Sequence, residues 1–145
     1  VTFALLTIDV VNHLLSIAVA GHIPPFLHRA ADDSVSMIDV HGIAGPPLGL
    51  SPGWNYGEAS VTLQPGDGVL LITDGVTEAQ NPKRDLLGMK CIISSGIGAR
   101  SVDDWGTRLL TSVRQHLAGS RRTDDICIVG ISRRSGVPSG SNPPA

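Results

Sequence analysis

Apolar positions recur at short strand-like intervals over most of the chain, then switch once to a helical period. Residues 2–10 (TFALLTIDV) are rich in apolar and β-branched side chains and read as a strand. Asn12 and His13 supply a two-residue turn, and residues 14–20 return as the second arm of a hairpin. Gly21, Pro24 and Pro25 break that pattern. Residues 26–28 form a short third strand and 35–40 a fourth, separated by the polar turn 31–34. Residues 42–56, dense in Gly and Pro, are loop. Residues 59–63 and 68–73 read as a further hairpin across Pro65 and Gly66. Its second arm carries the unbroken apolar run Val69, Leu70, Leu71 and Ile72.

Residues 76–98 are punctuated by Pro82, Gly88, Gly96 and Gly98, and short helical turns are expected there. The helical period then becomes explicit. Val102, Trp105, Leu109, Val113 and Leu117 form one apolar stripe at three- and four-residue spacing. Ser101 with Asp104 makes a capping box, Asp103 and Asp104 suit the positive end of the helix dipole, and Gly119 follows as the stop, so the helix spans 101–118. Residues 126–131 read as a final buried strand, and 133–145, rich in Ser, Gly and Pro, as a disordered tail. Many strands, one strong helix and a last strand predict an α+β protein: an antiparallel sandwich with helices packed outside it.

Composition bounds the function. The 145 residues suit one domain, and 41% hydrophobic with 17% charged content is that of an ordinary globular protein. With 3% aromatic residues, the core must be built mainly from Leu, Ile, Val and Ala. A net charge of −2, with no basic run longer than the pairs Arg121 with Arg122 and Arg133 with Arg134, argues against nucleic acid as a partner. The longest apolar stretch, residues 8–20, is interrupted by Asp9, Asn12 and His13 and cannot span a bilayer. Cys91 and Cys127 make neither a disulfide framework nor a zinc site, and both read as buried thiols in a reducing cytoplasm. No signal peptide or initiating methionine precedes Val1, so the chain is expected to be the inside of a longer protein.

The segment 63–80, LQPGDGVLLITDGVTEAQ, carries the chemistry. A buried strand ends at Thr73, Asp74 and Gly75, so a carboxylate is mounted on a rigid strand end, which suits oxygen-ligated Mg²⁺ or Mn²⁺. The same Asp-Gly pair is also an ordinary turn signal. Asp124 and Asp125 lie just before the last strand. If that strand is the antiparallel neighbour of 68–73, Asp74 and the aspartate pair share one sheet edge.

Four segments occur in register: AGHIPP at 20–25, GPPLGL at 45–50, LQPGDGVLLITDGVTEAQN at 63–81 followed by LLG at 86–88, and TDDICIV at 123–129. Together they resemble the carboxy-terminal part of bacterial SpoIIE-like serine/threonine phosphatases, within the type 2C (PPM) metal-dependent superfamily, over residues 2–132. The resemblance implies two antiparallel sheets flanked by helices, with the amino-terminal part missing. Val19 stands where the family usually has Asn, and Cys127 where it usually has Thr. The family's first metal motif, a Gly-Asp-Val with a glycine-rich turn, has no counterpart here; Asp67 in Gly66-Asp67-Gly68 is a poor substitute.

By the resemblance, Asp74 and Asp124 are metal ligands, and Asp125 is a neighbour that either orients them or caps the strand. Which of the two adjacent aspartates binds stays open. Glu78 either holds a metal-bound water or, as favoured here, caps a helical turn. His22 either acts as a general acid or, as favoured here, braces its own loop. The implied mechanism needs no nucleophilic side chain: two Mn²⁺ or Mg²⁺ ions about 3.5–4 Å apart activate a water for attack on phosphoserine or phosphothreonine. The implied substrate is a phosphorylated anti-sigma-factor antagonist, the implied location the cytoplasm, and an upstream regulatory domain is expected. With one metal motif absent, this chain by itself is expected to bind metal weakly and to hydrolyse phosphoesters poorly. The rival readings are a catalytically inactive phosphatase-like interaction module and a plain β-rich binding domain whose Asp-Gly is only a turn.

Overall fold

The computed structural model describes residues 1–120 and 124–134. The pair Arg121 with Arg122, and the expected tail from residue 135 on, lie outside the described residues. Among the described residues seven strands form two antiparallel sheets. The first joins β1 (Phe3–Asp9), β2 (Leu14–Ala20) and β5 (Ala59–Thr62) in the order β1-β2-β5. The second joins β3 (Phe26–Arg29), β4 (Ser34–Met37), β6 (Gly68–Ile72) and β7 (Ile128–Ser132) in the order β4-β3-β6-β7. Among the described residues there are three helices: α1 (Asp74–Thr77), α2 (Met89–Gly96) and α3 (Val102–Leu117). Among the described residues no helix is long and apolar enough to cross a membrane.

The layers follow from two separate cores. Leu15, Ile17 and Val19 of β2 meet Leu27, Ile38, Val40, Leu63 and Val69 between the sheets. On the other face of the second sheet, Phe26, Leu70 and Ile72 meet Val76, Ile92, Trp105, Leu109 and Val113 of the helices. The second sheet is thus covered on both faces, which is why β6 is an unbroken apolar run. Among the described residues the first sheet is covered on one face only. In β2 the fully buried positions therefore alternate with half-buried ones. On β1, Phe3 and Leu5 point outward and stay about half exposed.

α3 buries the five residues of the predicted stripe and no others, and Ser101 accepts the Asp104 amide at 3.1 Å as its N-cap. Asp104 in turn accepts the Arg100 amide at 3.0 Å. The helix closes at its C-cap Ala118, φ 44°, and Gly119 follows at φ 86° as the expected stop. The segment 76–98 does contain short helices, α2 being the longer.

Four local expectations are corrected. The β1–β2 connection is a four-residue turn, 10–13, because Asp9 accepts the amides of Val11 and Asn12 and so starts the turn earlier. β4 stops at Met37, and Ile38 and Val40 leave it to fill the core between the sheets. Residues 59–63 and 68–73 do not form a hairpin: β5 pairs with β2, and β6 pairs with β3 and β7. The turn between them is a corner from one sheet to the other. Its pin is Asp67, a buried side chain that accepts the amides of Gln64 (2.8 Å) and Ala30 (3.0 Å) and the guanidinium of Arg29 (2.7 Å). Burial pushes the Asp67 carboxyl up, but these bonds together outweigh it and hold the group below its usual range. Lastly, β7 is not buried. It occupies the end of its sheet, and Val129 is 48% exposed.

A second polar pin joins the layers. Buried His28 on β3 meets Asp33 at 2.8 Å and packs edge-on against Trp105. Asp33, in the left-handed region at φ 55°, accepts the Gly98 amide with both oxygens. The tight β3–β4 turn is thereby fastened to the loop between α2 and α3. The His28 ring and the Gly98 amide both hold the Asp33 carboxyl below its ordinary range.

Candidate metal-binding edge

β6 and β7 are antiparallel neighbours, with Ile72 opposite Ile128. The end of β6 and the segment before β7 therefore run side by side, as the sequence required for a shared site. Thr73 donates its amide to the Cys127 carbonyl at 3.1 Å. Its hydroxyl donates to the Asp125 carbonyl at 2.9 Å and accepts the Cys127 amide at 2.9 Å. Gly75 is buried directly against this segment, and a Cβ there would overlap the Asp125 carbonyl oxygen. Only glycine permits that approach.

Asp74 is the first residue of α1 and is exposed. One carboxylate oxygen accepts the Gly75 amide at 3.0 Å, and its carbonyl accepts the Glu78 amide and the Thr77 hydroxyl. Asp124 and Asp125 are also exposed, and Asp124 accepts the Asp125 amide at 2.7 Å. Three carboxylates thus stand at one edge of the second sheet. Their oxygen donors suit a hard divalent cation, and Asp74 with Asp124 or Asp125 would hold it. Among the described residues no group of three or more His, Cys, Asp or Glu side chains converges closely enough to enclose an ion. The edge offers part of a ligand set.

His22 stands at the rim. It lines a small polar cleft with Thr2, Gly21, Ile23, Thr73 and Asp74, and one ring nitrogen, Nδ1, lies 2.8 Å from the Ile23 carbonyl. That bond braces its own loop. Glu78 is the C-cap of α1, its backbone amide donating to the Asp74 carbonyl at 2.8 Å. Cys127 is exposed, not buried, because its segment leads into the end strand of the sheet; it lines an apolar hollow with Phe3, Leu71 and Val129. Cys91 is half-buried against the helical core. Val19, standing for the family's Asn, is buried between the sheets, so that position packs rather than reaches the edge. Asp67 lies at the far end of β6 from Asp74, a structural pin and not a ligand.

Sequence reasoning gave Thr73 no role. Its signal was a hydroxyl residue standing between a buried strand and the acidic residue.

Two antiparallel sheets with helices packed on one side match the PP2C-type phosphatase fold. The chain belongs to the Stage II sporulation protein E (SpoIIE) family, whose model matches residues 1–134. It is 28% identical to Protein IcfG of Synechocystis sp. over 130 residues, which is 87% of this chain and 19% of that protein. It is 32% identical to the phosphoserine phosphatase RsbU of Bacillus subtilis over 69 residues, 48% of this chain and 20% of that protein. The phosphatase domain of the cell fate determinant SpoIIE from Bacillus subtilis, in a crystal form without domain swapping, superposes with a TM-score of 0.73 at 20% identity. That match covers 99% of this chain and 60% of the other. The chain spans about a fifth of the length of the curated relatives it matches.

Proposed function

We propose that this chain is the carboxy-terminal part of a metal-dependent protein serine/threonine phosphatase. The observation that carries the reading is the β6–β7 pairing, which with Gly75 packed on the Asp125 carbonyl brings the end of β6 and the segment before β7 to one sheet edge. Family membership and the likeness to a phosphoserine phosphatase support it. A bound Mn²⁺ or Mg²⁺ pair would supply the charge and the activated water that attack a phosphoserine or phosphothreonine ester. This chain's residues would then act as holders. Asp74 and Asp124 or Asp125 offer carboxylate oxygens, and Gly75 and Thr73 keep the two segments together. His22, with Nδ1 at the Ile23 carbonyl, walls the cleft next to Asp74. The substrate would be a phosphorylated regulatory protein of the anti-sigma-factor-antagonist type, met in the cytoplasm by an enzyme that also carries a regulatory domain.

The test is hydrolysis of p-nitrophenyl phosphate and of a phosphoserine protein by the full-length protein. Activity should require Mn²⁺ or Mg²⁺, and Asp74→Asn, nearly isosteric, should lower it by at least about 100-fold while the protein stays folded. Activity undiminished in excess EDTA, or an active Asp74→Asn enzyme, overturns the mechanism. A non-catalytic interaction module is the second reading. It is favoured by the incomplete ligand set among the described residues. It requires the full-length protein to be inactive with both metals.

A further inference from the structure

We propose that Thr73 is the positioning residue of this edge: its hydroxyl sets the register in which Asp74 and the Asp124 and Asp125 pair face a common divalent cation. The inference rests on the metal-site reading above and adds to it a residue whose role is geometric.

The argument starts where the sheet stops. After the pair Ile72 opposite Ile128, the next ladder pair would be Thr73 with Cys127. Half of that pair forms, from the Thr73 amide to the Cys127 carbonyl at 3.1 Å. The other half would use the Thr73 carbonyl, but that oxygen accepts the Val76 amide at 3.1 Å in the first turn of α1. The hydroxyl stands in for it and accepts the Cys127 amide at 2.9 Å. One residue thereby ends a strand and begins a helical turn without leaving the Cys127 amide unpaired.

The same oxygen then donates to the Asp125 carbonyl at 2.9 Å, so both roles of the hydroxyl are filled within the segment 125–127. It makes no cap bond to α1, although Thr73 occupies the N-cap position. Asp74 follows directly, and Gly75 lies against the carbonyl that Thr73 holds. Asp74 is therefore flanked by two residues that fix Asp125. β-Branching leaves Thr73 few side-chain rotamers, which suits an oxygen that must serve two partners at once. Residues that orient ligands through hydrogen bonds typically change metal affinity by about 10–100-fold when removed.

Three proteins separate the possibilities: the parent 145-residue chain, Thr73→Val, which keeps the shape and loses the oxygen, and Thr73→Ser, which keeps the oxygen. Mn²⁺ is titrated into ¹⁵N-labelled protein while amide line broadening and the hydrogen exchange of the Cys127 amide are followed. In the parent, broadening at 74–75 and at 124–127 should rise together. In Thr73→Val the Cys127 amide should exchange about tenfold faster, and half-broadening at 124–127 should need at least about tenfold more Mn²⁺. Thr73→Ser should restore both. A Thr73→Val protein that is less stable yet broadens like the parent shows a merely structural threonine and overturns the proposal. Unchanged exchange and unchanged broadening do the same. Absence of broadening at both segments in the parent removes the shared cation at this edge, and the positioning role falls with it; the phosphatase reading is then decided by the activity of the full-length protein.

Discussion

Asp67→Ala should be among the most destabilising polar substitutions in this chain, and its size can be worked from the corner it pins. The carboxylate takes three donors, the amides of Gln64 and Ala30 and the Arg29 guanidinium, at 2.7–3.0 Å, on a side chain 1% exposed. Alanine removes all three acceptor contacts. If each orphaned donor were sealed from water the loss would reach about 1–3 kcal/mol apiece. Gln64 and Ala30 are exposed residues, and Arg29 keeps a second bond to the Thr62 carbonyl at 2.8 Å, so water and Thr62 recover part of this. The net expectation is about 3–5 kcal/mol, the range for removing one partner of a buried ion pair. In a domain of this size that corresponds to a fall in Tm of about 10–15 °C.

Arg29→Ala should lose less than half as much. The Asp67 carboxylate would keep both backbone amides, and Arg29 is itself 34% exposed. The assay is equilibrium urea unfolding at neutral pH of the two single variants and the double variant. A loss below about 1 kcal/mol for Asp67→Ala, or an equal loss for both single variants, would show that the corner is held by packing and not by this carboxylate.

The remaining predictions concern acid and the helical core. Asp33 and Asp67 both ionise more readily in the folded protein than in a free chain. Their contribution is therefore fully present above the ordinary carboxylate value of about 3.9 and is lost as pH falls through the lower folded values. Thermal melts should show stability falling below about pH 4, and Asp33→Asn should flatten that part of the profile; an unchanged profile would remove the His28–Asp33–Gly98 link from the acid response. Trp105→Ala should cost about 3–5 kcal/mol in chemical denaturation, because the ring is fully buried and its Nε1–H donates to the Ile92 carbonyl at 3.0 Å. A loss under about 1 kcal/mol would mean that the α2–α3 layer repacks freely around the gap.

What was legible in the sequence followed from periodicity and from rigid punctuation. The stripe of α3 could be read residue by residue, since a helix with one buried face repeats its apolar positions. The run at 69–72 announced a strand covered on both sides, and its end located Asp74. Sheet membership was not legible. Pro65 and Gly66 look the same whether a chain folds back on its own strand or crosses to another layer; the difference lies in what Asp67 binds, and two of its partners, Arg29 and Ala30, are more than thirty residues away. The burial of Cys127 was misread for a related reason. An apolar stretch does not say whether its strand lies in the middle of a sheet or at its end. The hydroxyl of Thr73 could not be assigned because its partners come from a segment more than fifty residues later.

The strand β6 carries its two critical aspartates just beyond opposite ends. Asp67 and Asp74 are seven positions apart, a span of about 23 Å along extended backbone. Changes that far apart, sharing no partner, usually add without interacting. Selection can therefore alter the chemistry at one end and restore the lost robustness at the other, with neither change conditioned on the order in which they arise. On the proposed reading, a lineage that abandoned catalysis by losing Asp74 could keep the architecture intact, and one that drifted towards instability at the corner could keep its ligands. The strand acts as an insulator between durability and activity, and that separation lets one scaffold serve both working enzymes and silent descendants.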